Sequence, residues 1–252
     1  MNNPHLLSIQ VGRPQHRGVE GAADPMDRPW FTSFYKEPVE GPVWLERTNL
    51  AGDGQADLEN HGGLDKAVLA YSAAHYVAWR TELKRPDLPY GAFGENFTIA
   101  GLTEESVCIG DIFRIGDARV QVSQPRQPCW KIARRWRIKD LTARVRETGR
   151  TGWYLRILAE GYVEAGQPVI LLERPFPRWT IAQATEIMHR RRDDPEAAAE
   201  LAACPLLSPV WRETLSAASG RSRFFTRMER NTDKNRGSQT LSVFLSIRVK
   251  NP

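Results

Sequence analysis

The 252 residues suffice for one large domain and a smaller one, and a 41% hydrophobic content is ordinary for a chain with a real core. No apolar stretch reaches the roughly 18 residues that a membrane span requires, and residues 1–10 lack the basic start and long apolar core of a secretory signal, so a cytoplasmic location is expected. A formal net charge of +5 favours anionic ligands such as a phosphorylated cofactor, a nucleotide or nucleic acid, or serves solubility alone.

Gly and Pro recur so closely over residues 1–130 that short strands joined by turns fit better than long helices. Residues 5–11 (HLLSIQV) and 42–47 (PVWLER) read as strands, with a long loop rich in Pro, Gly and charge over 15–42 between them. The block GDGQADLENHGGLDKAVLAY opens as a loop and closes in an apolar strand over 67–71. Ser72 is placed to cap a helix. Tyr76, Trp79 and Leu83 share one face of it, and Pro86 lies just past its end.

GAFGENFTIAG is a second loop-and-strand unit. Strands at 112–115 and 119–124 flank the turn dipeptide Gly116-Asp117, which predicts a hairpin. Val120 and Val122 face one way in the second strand, and Arg119, Gln121 and Ser123 the other. Pro125 and Pro128 stop that strand, because proline cannot donate to a sheet ladder. Cys129 therefore follows a strand end in a rigid segment.

A short helix is expected over 139–148, stopped by Gly149, then strands near 152–159 and 168–173. Beyond Pro177 the periodicity becomes helical. Thr180 can cap a helix through Ile181, Ala184, Ile187 and Met188, the segment 195–203 is Ala-rich, and a third helix is plausible over 208–218, ending at Gly220. The expected organisation is a strand-rich barrel over 1–177, a three-helix domain over 178–230, and a polar tail over 231–252 with the composition of a disordered segment.

Cys108, Cys129 and Cys204 are odd in number and widely spaced, and they form neither a C-x-x-C pair nor a disulfide framework, so three free thiols are expected. Cys129 is the candidate for chemistry. A thiolate is a nucleophile and a soft metal ligand, and Arg126, Lys131, Arg134 and Arg135 lie close in sequence. The same pattern also fits a buried structural cysteine beside a solvated basic run.

His61-Gly62-Gly63-Leu64-Asp65-Lys66 could hold a phosphate or a polar heterocycle, since glycines let backbone amides approach a ligand. It also reads as a plain turn before a strand. Asn96 could meet a heterocycle edge or satisfy its own turn. No Walker-type loop and no G-x-G-x-x-G after a strand occurs. The arginines at 134, 135, 137 and 190–192, with Trp130, Trp136 and Trp153, could serve nucleic acid, but no recognised module accompanies them.

Four stretches in order carry a resemblance: GDGQADLENHGGLDKAVLAY at 52–71, GAFGENF at 91–97, GLTEESVCIGDIFRIG at 101–116 and VSQPRQPC at 122–129. Together they resemble the MOSC family (molybdenum cofactor sulfurase C-terminal domain), in particular its YiiM-type bacterial members. The resemblance covers about 5–175, and the helical segment that follows is similar to the three-helix domain of those members. The long loop at 15–42 and the tail depart from it.

The resemblance implies an α+β fold, mainly β: a barrel related to the small barrel domain of pyruvate kinase, plus the helical domain. It implies the molybdenum cofactor, a molybdenum–molybdopterin, with Cys129 as the metal's protein ligand and catalytic residue. His61, Gly62, Gly63, Asp65, Lys66, Asn96 and Arg126 fall on the presumed cofactor side. The activity implied is reduction of small N-hydroxylated compounds, among them hydroxylaminopurines and amidoximes. A separate flavin-containing reductase is the expected electron donor, because the sequence has no flavin, nicotinamide or iron–sulfur fingerprint. No membrane or nucleic-acid partner is expected. The rival is a sulfur-transfer module in which Cys129 carries a persulfide for metal–sulfur cofactor assembly.

Overall fold

A computed structural model describes residues 3–190 and 194–217. Among the described residues the chain divides into two compact units, residues 3–186 with 205–208, and residues 187–190 and 194–204 with 209–217.

The first unit is built on β1 (His5–Val11), β2 (Gln15–Arg17), β3 (Trp30–Thr32), β4 (Glu37–Pro38), β5 (Val43–Leu45) and β6 (Val68–Ser72). Then come β7 (Phe97–Ala100), β8 (Ile112–Ile115), β9 (Ala118–Pro125), β10 (Trp153–Ala159), β11 (Gly161–Val163) and β12 (Val169–Glu173). Eight of them form one sheet in the order β12-β8-β9-β10-β6-β7-β1-β4. The sheet curls until β1 meets the approach to β12. Leu6 N–H donates to Gln167 O at 2.9 Å, Gly166 N–H to Leu6 O at 2.7 Å, and Val169 N–H to Pro4 O at 2.9 Å. These bonds stitch the curl shut, and closure removes the exposed edges of an open sheet.

Among the described residues the one parallel pair, β6 with β7, needs a crossover rather than a hairpin. Helix α2 (Ala74–Glu82) provides it, after the short helix α1 (Leu58–His61) and a single 3₁₀ turn at Leu64–Lys66. Tyr76 and Trp79 of α2 are fully buried with Tyr71 and Phe93. Helices α3 (Lys131–Trp136) and α4 (Leu141–Thr148) add Ile132, Leu141 and Val145 to the same cluster, which Trp30 and Phe34 complete. An aromatic-rich core thus lies beneath the segment that carries Cys129.

The expected hairpin is present, β8 pairing with β9 across Gly116-Asp117, and α4 ends at Gly149. Other readings change. Ser72 is not a helix cap: it prolongs β6 opposite Ile99, and α2 starts from Ala73 without a side-chain cap. The expected loop over 15–42 contains β2, β3 and β4, with β2 and β3 paired. Helix α3 forms where only a basic run was read. On the face of β9 opposite Val120 and Val122, Gln121 and Ser123 are buried, because the 3₁₀ turn and β10 pack across them.

Helix α5 (Ile181–His189) has the reciprocal cap of a Thr-x-x-Gln pattern. Gln183 N–H donates to Thr180 Oγ1 at 3.1 Å, and Thr180 N–H to Gln183 Oε1 at 3.2 Å. In the second unit α6 (Pro195–Ala202) starts with Asp194 accepting from Ala197 N–H at 2.9 Å and proline in its first turn. A further helix covers 209–217. Ala198, Leu201, Trp211 and Leu215 are buried in this unit. Gly220 and the 231–252 tail lie outside the described residues.

Candidate functional site

Strand β9 ends at Pro125, and the chain continues through Arg126 to Cys129 beside the start of β10. Arg126 N–H donates to Gly152 O at 3.0 Å. Gly152 has φ +77°, and a Cβ there would sit 2.5 Å from Ala70 O, so only glycine brings β10 this close to β6. The Arg126 side chain is 3% exposed. Its Nη2 donates to Phe93 O at 2.8 Å, while Nη1 has no partner among the described residues. Cys129 is half-buried. Its carbonyl is pinned by Ile132 N–H at 3.3 Å and Thr142 Oγ1 at 3.1 Å, so α3 and α4 fix the thiol's origin.

The thiol opens on a cleft of about 600 Å³, its solvent-facing mouth included, within the size range of small-molecule sites. One wall comes from α1. Asp57 caps that helix, its Oδ1 accepting from Asn60 N–H at 2.9 Å, and its Oδ2 lies 3.2 Å from His61 Nδ1. Those contacts, led by the Asn60 backbone N–H, hold the Asp57 carboxyl below its usual range. Burial, reinforced by the charge of Lys131, lowers the His61 pKa against the pull of Asp57. His61 is therefore neutral at neutral pH. Lys66 Nζ donates to Asn60 O at 2.7 Å, and burial lowers its pKa too.

The second wall centres on Asp53. It accepts from Gly12 N–H at 2.6 Å, from Asn96 Nδ2 at 2.8 Å and from the buried Lys36 ammonium. Burial pushes the Lys36 pKa down, and Asp53 opposes it. Asn96 also donates to Gln10 O at 3.2 Å and accepts from Leu69 N–H at 3.2 Å. Both its amide hydrogens are committed to joining β1, β6 and the Asp53 loop. Glu95, fully buried, organises the same turn by accepting from Gly91 N–H, Phe93 N–H, Thr98 Oγ1 and the Tyr76 hydroxyl.

His61, Lys66, Asn96, Arg126 and Cys129 thus converge on one cleft from three separate stretches of sequence. Gly62, Gly63 and Asp65 are not among its lining residues. The two glycines turn the chain from α1 into the 3₁₀ turn, Gly63 with φ +92°. Asp65 points to Arg156, whose Nε donates to it at 2.7 Å, and the Ser123 hydroxyl donates to its carbonyl at 2.6 Å. The lining also contains Ser33, Lys36, Asp53, Asp57, Lys131 and Tyr154, none of them singled out from sequence as cofactor-binding. Asp57 had a signal, four residues before His61 on one helix face. Ser33 and Tyr154 had none.

Four cationic side chains against two carboxylates line the cleft. Besides Arg126 Nη1, the buried Ser33 Oγ lacks a partner among the described residues. Buried donors left unpaired are costly, so this arrangement is complementary to an anionic ligand rich in acceptor atoms, with one soft sulfur within reach. Among the described residues no three His, Cys, Asp or Glu side chains gather as an ion-binding set. No helix among the described residues is long and apolar enough to cross a membrane.

The MOSC domain profile matches residues 57–170, and that of the YiiM-like, 3-alpha helix domain matches 179–217. The chain is similar to the protein YflK of Bacillus subtilis, 44% identical over 207 residues, which are 82% of this chain and 90% of that protein. It is 35% identical over 204 residues to a Gibberella moniliformis protein named a reductase, covering 80% of this chain and 35% of that longer protein. Among solved structures, YiiM from Geobacillus stearothermophilus matches with a TM-score of 0.71 at 38% identity, over 86% of this chain and 99% of that one.

Proposed function

The chain belongs to the MOSC domain family, and on that premise we propose that it is a molybdenum-cofactor oxidoreductase that reduces N-hydroxylated compounds, with Cys129 as the metal's protein ligand. The observation that carries this reading is the Cys129 thiol facing a cation-rich cleft in which Arg126 Nη1 and Ser33 Oγ have no protein partner. A pterin cofactor with its phosphate is anionic and rich in acceptors, so these donors fit it. The relative named a reductase supports the oxidoreductase class.

In this reading the bound cofactor supplies a metal able to exchange two electrons and an oxygen atom with the substrate. The protein does the rest. Cys129 offers a sulfur held by the α3 and α4 contacts to its carbonyl. Arg126, Lys131 and Ser33 would hold the cofactor through its oxygen atoms. His61 stays neutral, its Nδ1–H donated to Asp57 and its Nε2 left to accept. Asn96 and Asp53 position the wall and spend no free hydrogen on the ligand. Electrons come from a separate flavin-containing reductase, and the substrates are small N–OH compounds such as hydroxylaminopurines and amidoximes, whose removal is a detoxification. Three free thiols suit the cytoplasm, where thiols stay reduced.

The test is Cys129→Ser in protein produced in a cofactor-competent host. Bound molybdenum and amidoxime reduction are expected to fall at least tenfold with circular dichroism unchanged. Wild-type molybdenum content in the variant overturns the assignment. Wild-type protein carrying labile sulfane sulfur and no stoichiometric molybdenum would instead identify a persulfide carrier.

A further inference from the structure

We propose that the Tyr154 hydroxyl is the proton donor to the oxygen that leaves nitrogen during reduction of an N–OH compound, a role that rests on the function proposed above. Tyr154 lies on β10 between Gln124 of β9 and Leu69 of β6, and it lines the cleft together with Leu69, Arg126 and Cys129. Strand pairing on both sides makes its backbone rigid. The Ser123 hydroxyl, 3.1 Å from Tyr154 O and 2.6 Å from Asp65 O, moors the 3₁₀ turn to the same point.

The two fully buried tyrosines nearby use their hydroxyls inside the fold. Tyr71 donates to Arg150 O at 3.0 Å and accepts from Trp79 Nε1 at 2.7 Å. Tyr76 donates to Glu95 and accepts from Ala92 N–H at 3.1 Å. The Tyr154 hydroxyl has no protein partner among the described residues, so its hydrogen is free for a ligand in the cleft. Burial pushes its pKa up to about 12, with the charge of Arg126 opposing and Cys129 assisting. It therefore keeps its proton across the working pH range.

Four of the other lining groups are less suited. Lys66 is bonded to Asn60 O, His61 shares its Nδ1 proton with Asp57, Arg126 does not release a proton, and the aliphatic hydroxyl of Ser33 releases one far less readily than a phenol.

The reaction balances as R–NHOH plus two electrons and two protons giving R–NH2 and water. The N–O bond breaks. The two electrons come from the flavin-class reductant, Tyr154 gives one proton to the departing oxygen, and solvent gives the other to nitrogen. Water then reprotonates the phenolate.

The test compares wild type and Tyr154→Phe as full chains loaded with cofactor, with benzamidoxime as probe. Expected are equal molybdenum content, a kcat lowered about 100-fold, and a KM changed less than threefold. With 3,5-difluorotyrosine at position 154, a more acidic phenol, the alkaline fall in kcat should move to lower pH. A Tyr154→Phe kcat within threefold of wild type overturns the proposal, as does an alkaline limb that the fluorinated residue leaves in place. Molybdenum lost from Tyr154→Phe also overturns it, because the hydroxyl would then serve cofactor retention. Wild type that holds molybdenum but reduces no N–OH compound overturns the functional reading itself, and the proposal with it.

Discussion

Asp53 shows how one residue can support a site without contributing a free group to it. Its carboxylate neutralises Lys36, receives Gly12 N–H and steadies Asn96. Asp53→Ala leaves an ammonium buried without its counter-charge, and the expected cost is about 3 kcal/mol, read from urea unfolding. Lys36→Met in the same background should restore part of the loss. His61 makes a pH prediction. Its folded pKa is held below the ordinary value of about 6.5, so on acidification the unfolded chain takes up the proton first. Its contribution is undiminished above that value and is lost as pH falls through the window down to the lowered folded pKa. His61→Gln should flatten the pH dependence of the urea midpoint in that window; an unchanged slope would discount the residue. At this scale Cys129 was legible because prolines and cations crowd around it. Tyr154 and Ser33 were not, because sequence does not reveal which strand face or loop tip will turn toward a cavity assembled from distant segments.

Among the elements, the start of β10 is the most constrained. A side chain at Gly152 would meet both a left-handed φ and the Ala70 carbonyl. Gly152→Ala should destabilise the protein by roughly 2 kcal/mol and, by displacing the carbonyl that receives Arg126 N–H, lower molybdenum retention as well. Thr180→Ala, which removes the cap of α5 and touches no residue lining the cleft, should cost about 1 kcal/mol and leave molybdenum content alone. Denaturation curves paired with metal analysis separate the two cases. The hairpin of β8 and β9 could be read directly, since a Gly-Asp turn between alternating segments is a local signal. Strands β2, β3 and β4 are two or three residues long, too short to show a period. Helix α3, with six residues, hid in a basic run for the same reason. Ser72 misled because a good capping residue also fits the last position of a strand when a parallel neighbour is there to continue the ladder.

For the molecule as a whole, the mainly β class with appended helices followed from strand spacing and from the four ordered motifs, while curl and closure depend on pairings that no local pattern records. Without electron-carrier motifs of its own, the loaded protein is expected to be inert toward amidoximes with nicotinamide cofactor alone and active once a flavin-containing reductase is added; turnover without that addition would contradict the two-component scheme. The seam that joins residues 4–6 to residues 166–169 also bears on how the protein is made. Its halves lie roughly 160 residues apart, and bringing such distant segments together carries a loop-closure cost that grows only with the logarithm of the separation but must be met before any reward arrives. One edge of β1 therefore waits on the ribosome until most of the sheet has been synthesised. Folding should end with a slow zipping step, during which the nascent chain is most in need of a chaperone's cover.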